Sequence, residues 1–358
     1  MEGSIVDILV PLSGKGGVES VINSVAAKMK ECGIRVRVVQ MVYDGPKWTC
    51  SAIEFYPLLV GKKVKCVEDF VGMYIAFLAA HEKPEAIIAT PWPFMTYVAR
   101  AAVKAVDISP GIIAWLHAPI ETYKQFGTGG IECLTFADCC FVLTNKAKQQ
   151  ILNVIPDMNV EIIGNPVDMN GIHVIDSWEK SSRNLIFVGR LSEEKRVDVI
   201  LRAMAETTNK WQLRVAGDGE ERAGLEQLSR QLGLEEQVTW CGWKDNPWWD
   251  YNDITALVVA SDYEGFCMAA VEALARGIPV ISTPVDGITE YVQPGYNGYF
   301  FSKGSSAELA QILDIIDSGE LPDIMPCNCV HSVEKYEYQK VVKQFVIIIQ
   351  QLLDKPEM

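Results

Sequence analysis

Short apolar runs alternate with longer segments of mixed polarity from one end of the chain to the other. Ile5–Val10 is the first run, and a glycine-rich turn and a helix from about Val18 follow it. Val36–Val42, Ala86–Ala89, Gly111–Leu116, Cys139–Leu143 and Val160–Ile163 continue the series. Runs that are mostly apolar, alternating with helical segments, suit strands covered on both faces, so a parallel sheet between helices is predicted. Asn165–Asp168 and the polar stretch to Asn184 read as a linker, and the pattern then restarts. Asn184–Gly189, Trp211–Gly217, Val238–Trp240, Leu257–Val259 and Val280–Ser282 are the strands of a second series. The predicted fold class is α/β: two Rossmann-like domains facing a central cleft. Their spans are 1–168 and 169–332, with a last segment, 333–358, whose amphipathic helix Val333–Leu353 returns to the first domain. In such sheets ligands bind at the carboxyl ends of the strands.

The richest loop lies between Leu257–Ala260 and Pro279–Ser282: Ser261-Asp262-Tyr263-Glu264-Gly265-Phe266-Cys267-Met268-Ala269-Ala270-Val271-Glu272. Glu264 precedes a helix start, and Glu272 sits one turn inside that helix. Gly265 allows close approach of a ligand to the backbone. A helix N-terminus at Met268 would present N–H groups to a diphosphate. A carboxylate accepts hydrogen bonds from vicinal hydroxyls, as on a ribose or a hexose. Phosphate donors flanked by two such carboxylates describe a site for a nucleotide sugar.

Arg190 and Lys195, in Gly189-Arg190-Leu191-Ser192-Glu193-Glu194-Lys195, leave the first strand of the second series at its carboxyl end. A planar guanidinium and a mobile ammonium would neutralise a diphosphate, although two surface cations in a polar loop would read the same way. Gly217-Asp218-Gly219 is a weak signal, and tight backbone turning accounts for it. Trp243, Trp248 and Trp249 could stack on a nucleobase or simply pack the loop.

In the first domain, Ser13-Gly14-Lys15-Gly16-Gly17-Val18-Glu19 joins the first strand to the first helix. Gly16 and Gly17 permit close approach to a phosphate or sugar. The Gly-Lys-Ser/Thr ending of a P-loop is missing, which argues against a nucleoside triphosphatase. His117 follows the strand Ile112–Leu116 and so has a cleft address, where an imidazole can bond a sugar hydroxyl or a phosphate. The loop Glu121–Gly130, with Tyr123, Lys124, Gln125 and Phe126, could shape an acceptor site. Cys327-Asn328-Cys329-Val330-His331 offers three metal ligands at an unusual spacing, with no second cluster to complete a set.

Bulk properties narrow the classes further. The chain has 358 residues, 49% of them hydrophobic and 22% charged, which suits two packed domains. A formal net charge of −14 argues against broad nucleic-acid binding. The ten cysteines are scattered, as expected of reduced thiols in a cytosolic protein. No run approaches the ~18 apolar residues of a membrane span, and no signal peptide is read at the N-terminus. Lys335, Lys340 and Lys343 read as solvated charge that could also touch an anionic membrane weakly.

With these residues in hand, the chain resembles the retaining GT-B glycosyltransferases of family GT4 over nearly its whole length. The resemblance is strongest from Asn184 to Phe301, and the Glu264–Glu272 pair is its most specific motif. It implies that Glu264 contacts the donor sugar, Glu272 the ribose, and Arg190 and Lys195 the diphosphate. It carries the glycine turn onto Gly16 and Gly17 and the cleft histidine onto His117. Gly265, Phe266, Cys267 and Met268 are expected to line the donor, with Trp243 beside the base. The segment Val238–Trp243, followed by Asn246-Pro247, is similar to bacterial lipopolysaccharide-core galactosyltransferases that use UDP-galactose.

The implied reaction moves a hexose from a nucleotide diphosphate sugar, a UDP-hexose foremost, to a hydroxyl of a glycan or glycolipid. His117, Glu264, Arg190 and Lys195 are the implied catalytic residues. Attack on the donor's front face is expected, because no carboxylate is placed as a covalent nucleophile. No metal and no cofactor beyond the donor is expected, since protein cations can hold the leaving diphosphate. A UDP-sugar epimerase and a two-domain nucleotide-sugar binding protein without turnover are the alternatives. A nicotinamide dehydrogenase is disfavoured by the absence of GxGxxG after the first strand.

Overall fold

The computed structural model describes residues 3–12, 17–43, 45, 47–51, 53–60, 64, 66–244, 246–249 and 251–353, without the side chains of Val60 and Leu353. The chain divides into two compact units: Met1–Pro166 with Tyr338–Met358, and Val167–Glu337.

The first unit alternates strand and helix as β1 (Ile5–Val10), α1 (Gly17–Glu31), β2 (Arg35–Tyr43), β3 (Glu54–Val60), α2 (Val67–Ala80), β4 (Ala86–Ala89), α3 (Phe94–Ala105), β5 (Gly111–Trp115), α4 (Ile120–Gln125), β6 (Cys139–Val142), α5 (Asn145–Val154) and β7 (Val160–Ile162). All seven strands run parallel in the order β3-β2-β1-β4-β5-β6-β7. β1, β4 and β6 are buried at every residue, which is why their sequences are apolar but for Asp7 of β1. β3 is the strand that the hydrophobic pattern does not announce. It holds Pro57, which cannot donate to a ladder, and it lies at the sheet edge, where that is tolerated.

One buried charge pair interrupts this apolar sheet. Asp7 of β1 stands in register with Arg37 of β2, and both side chains are sealed from water. Arg37 Nε donates to Asp7 Oδ1 at 2.6 Å, and the Tyr74 hydroxyl donates to Asp7 Oδ2 at 2.7 Å. Arg37 Nη1 donates to the Glu82 carbonyl at 2.9 Å, and the guanidinium lies over the Phe77 ring.

The second unit continues with β8 (Asn184–Val188), α6 (Val197–Glu206), β9 (Gln212–Ala216), α7 (Arg222–Gln231), β10 (Val238–Gly242), β11 (Ala256–Val259), α8 (Met268–Leu274), β12 (Val280–Ser282), β13 (Gly298–Phe300), α9 (Ser306–Ser318) and α10 (Pro326–Val333). Its six strands are again parallel, ordered β10-β9-β8-β11-β12-β13. The strand order therefore reverses between β8 and β11. The loops leaving those two strands at their carboxyl ends are the ones that carry Lys195 and Glu264.

The final helix, α11 (Tyr338–Leu353), belongs to the first unit. Its Tyr338 hydroxyl donates to the Ser24 carbonyl of α1 at 3.0 Å, and Phe345 packs on Trp115 and Phe141. It does not begin at Val333, as the amphipathic pattern suggests. α10 ends there, a single 3-10 turn covers Glu334–Tyr336, and Glu337 is extended. The break has a cause: Val167 N–H donates to the Tyr336 carbonyl at 2.9 Å, and Val167 bridges Glu337 as a strand would. Among the described residues, no helix is long and apolar enough to cross a membrane.

Candidate active site

Gly189 follows β8 with φ 157, a conformation that suits glycine, and starts the loop that holds Arg190 and Lys195. This loop is pressed against the turn after β9. A Cβ on Gly217 would lie 1.8 Å from the Gly189 carbonyl oxygen, and one on Gly219 would lie 2.2 Å from that of Leu191. Leu191 N–H donates to the Asp218 carbonyl at 2.9 Å. The Gly217-Asp218-Gly219 turn thus serves close packing, as tight turning alone requires. Gly217→Ala is expected to cost about 2 kcal/mol or more through this collision, read as a lower midpoint of urea unfolding. An unchanged midpoint would show that the two loops part without penalty.

Across the switch in strand order, the loop after β11 brings Glu264 to Lys195. The Lys195 ammonium donates to Glu264 Oε1 at 2.7 Å, and the Ser261 hydroxyl donates to the same oxygen at 2.8 Å. Glu264 is 9% exposed. Burial opposes the charge on Lys195, but the carboxylate beside it outweighs that and holds the lysine pKa above its ordinary value. The two loops are also joined through backbone, since Asp262 N–H donates to the Glu194 carbonyl at 2.8 Å. Arg190 is exposed at the start of the same loop.

The rest of the glutamate loop is braced from beneath. Phe266 is buried, and its ring packs edge-on against Tyr291 and Tyr336. The Tyr291 hydroxyl donates to the Phe266 carbonyl at 2.6 Å and to the Cys267 carbonyl at 3.2 Å. Gly287 lies so close to Phe266 that a Cβ there would be 2.5 Å from the Phe266 Cα. The Phe266 ring therefore anchors the loop from inside. Cys267 adopts φ 60, left-handed for a non-glycine residue, and leads into α8, and burial pushes its thiol pKa up. Gly265, Cys267 and Met268 are partly exposed. α8 is only seven residues long, and its first turn is partly closed by Ala270 N–H donating to the Cys267 carbonyl at 3.1 Å.

Glu272, one turn into α8, meets a tryptophan. The Trp248 indole N–H donates to Glu272 Oε2 at 2.8 Å. Burial raises the Glu272 pKa, against that hydrogen bond and the nearby Arg276 charge. The three tryptophans after β10 thus divide. Trp248 is 4% exposed and holds Glu272, whereas Trp243 is 56% and Trp249 49% exposed. Trp248 and Ser261 were not assigned these partners from sequence. The usable signal was that a buried carboxylate demands donors.

In the first unit, His117 stands just past the end of β5. Its backbone N–H and that of Ala118 both donate to the Tyr123 hydroxyl, at 2.7 and 2.9 Å. Tyr123 is buried, so it fixes the turn rather than facing an acceptor, while Phe126 beyond it is exposed. The His117 ring packs on Trp115 with centroids 4.6 Å apart. Both ring nitrogens are shielded from water and lack a hydrogen-bond partner. Burial lowers its pKa to about 3, so the imidazole is neutral at physiological pH. Gly16, with Ser13–Lys15, lies outside the described residues, and Gly17 opens α1. The Cys327–His331 run does not converge: Cys329 is buried, Cys327 is exposed, and His331 is exposed beside Glu334. Among the described residues no group of three or more His, Cys, Asp or Glu is arranged to hold a metal.

Residues 172–325 match the family described as "Glycosyl transferases group 1". The chain is 28% identical over 343 residues to the lipopolysaccharide 1,6-galactosyltransferase of Salmonella typhimurium, covering 88% of this chain and 90% of that protein. The protein of the same name from Escherichia coli is 27% identical over 329 residues, covering 87% and 88%. In fold, the chain is similar to the lipopolysaccharide outer core galactosyltransferase WaaB in its apo form. The TM-score is 0.80 at 24% identity, over 97% of this chain and 99% of that one. Anabaena HepE in complex with UDP and glucose follows at TM-score 0.73 and 17% identity, over 97% and 100%. Residues 172–325 are thus a glycosyl transferases group 1 domain, set in a chain with the two Rossmann-like domains of the GT-B fold.

Proposed function

We propose that this glycosyltransferase is a retaining hexosyltransferase, with a UDP-hexose as donor and a lipopolysaccharide-core or related glycolipid hydroxyl as acceptor. The observation that carries the reading is the Lys195–Glu264 contact across the strand-order reversal of the second sheet. It sets one cation and one hydroxyl-reading carboxylate at the address where such sheets bind ligands. Arg190 and Lys195 neutralise the leaving diphosphate, so the reading needs no metal. Glu264 orients hydroxyls of the transferred hexose, and Glu272 receives the ribose. Attack from the leaving-group face retains the anomeric configuration. The galactosyltransferase names of the relatives favour galactose and the lipopolysaccharide core. A weak membrane contact through exposed Lys340 and Lys343 fits a glycolipid acceptor.

Two substitutions test this assignment. Glu272→Ala is expected to weaken UDP affinity by about tenfold, as loss of a charged hydrogen-bond acceptor does, with a smaller change in kcat. Glu264→Ala is expected to leave UDP affinity nearly intact and lower kcat about 100-fold. Calorimetry with UDP and release of UDP over a panel of UDP-hexoses would check both. Unchanged constants in both variants would remove the basis of the assignment.

A further inference from the structure

Glu272 is one member of a small, partly buried cluster in the second unit. Trp248 supplies the indole N–H at 2.8 Å to Glu272 Oε2 and is itself 4% exposed. On its other side, Trp248 is covered by the Arg276 guanidinium, whose centre lies 4.9 Å from the indole ring. Arg276 also lies over Tyr251 at 5.4 Å, and its Nη1 donates to the Glu272 carbonyl at 2.8 Å. Its Nε is buried without a partner. The Trp248 side chain thus ties the loop after β10 to α8, and it ends on a carboxylate oxygen.

This geometry has a chemical consequence. A carboxylate has two oxygens and about four acceptor positions. Among the described residues, only the Trp248 indole donates a hydrogen bond to this carboxyl group, and it donates to Oε2 alone. A fixed N–H on one oxygen sets the plane of the group, so that Oε1 presents its lone pairs in a set direction. A vicinal diol needs such a plane, because its two hydroxyls must both find acceptors. Arg276 keeps the indole in place by stacking.

We propose that Trp248 is a positioning residue for nucleotide recognition: its indole N–H orients the Glu272 carboxylate so that the enzyme selects nucleotides bearing ribose hydroxyls. The inference rests on the reading that Glu272 meets the ribose. It extends that reading from the acceptor to the group that aims it.

The test compares UDP with 2′,3′-dideoxy-UDP in the wild type and in Trp248→Phe, by calorimetry on the full chain. Phenylalanine keeps an aromatic ring under Arg276 and removes the donor. The wild type is expected to prefer UDP by at least about tenfold. In Trp248→Phe that preference should fall to within about threefold, with affinity for the dideoxy nucleotide unchanged within twofold. A purely structural defect would weaken both ligands alike and leave the ratio at the wild-type value, which would overturn the proposal. If the phenylalanine variant does not fold, 3-benzothienylalanine at position 248 asks the same question, since sulfur replaces the N–H in a ring of the same shape. Should the wild type bind both nucleotides equally, the assignment of Glu272 to the ribose fails, and the proposal with it. Should the wild type discriminate and the variant discriminate as well, only the role of Trp248 fails.

Discussion

Lys195→Met is expected to lower kcat for UDP release by roughly 10²–10³-fold, the range seen when one preorganised stabiliser of developing charge is removed. The side chain holds Glu264 at 2.7 Å in a largely buried setting, so the substitution acts twice. It removes positive charge from the place assigned to the leaving diphosphate. It also leaves the Glu264 carboxylate with the Ser261 hydroxyl as its remaining side-chain donor among the described residues. Lys195→Arg keeps the charge and is expected to recover part of the rate, within about tenfold of wild type. The pH dependence follows from the raised lysine pKa. The ion pair's contribution is full below the unfolded lysine value of about 10.4 and is lost as pH rises through the higher folded value. The bridge therefore stands throughout the neutral range, and kcat should show no fall from Lys195 deprotonation below about pH 10. Steady-state assays of the three proteins from pH 6 to 10 would decide. A Lys195→Met rate within threefold of wild type would end the role given to this residue.

The same pair shows how far the sequence could be read. Lys195 and Glu264 are 69 positions apart, and each emerges from an apolar run whose strand character is plain. The parallel sheet puts both loops at one edge, so their shared address was legible from pattern alone. Their contact was not, because it depends on β8 pairing with β11 rather than with β12. Trp248 illustrates the other limit. Its segment, Trp243–Tyr251, has neither strand nor helix periodicity. Whether an indole there faces solvent or a carboxylate is decided by tertiary packing. β3 is not legible in the pattern because Pro57 and the polar start at Glu54 break the apolar run, and only an edge position accommodates them. The end of the chain failed in the opposite sense. The amphipathic pattern runs on through Glu337, but pairing with Val167 forces an extended residue between the two helices.

Asp7 and Arg37 belong to the same lesson, since one lies in each of two apolar strands and register alone unites them. Their removal should have unequal effects. Asp7→Leu leaves a guanidinium buried without its carboxylate. A guanidinium does not shed its proton in proteins, so the charge must stay or the sheet must open. We expect a loss of about 3–5 kcal/mol, the usual cost of breaking a buried pair. Arg37→Met leaves an acid, and an acid can escape by taking a proton. Burial already raises the Asp7 pKa in the native protein, against the lowering effects of Arg37 and Tyr74. A raised folded pKa means that the protonated form is the one the fold favours. Its contribution is full below the unfolded value of about 3.9 and is lost as pH rises through the folded value. Without Arg37 that folded value climbs further, so the deficit of Arg37→Met relative to wild type should grow from pH 5 to pH 8. At pH 5 it should be clearly smaller than that of Asp7→Leu. Urea unfolding of the three proteins at both pH values would measure this. A pH-independent Arg37→Met deficit, or an Asp7→Leu variant milder than Arg37→Met at pH 5, would show that the pair is held by something other than burial of a permanent charge.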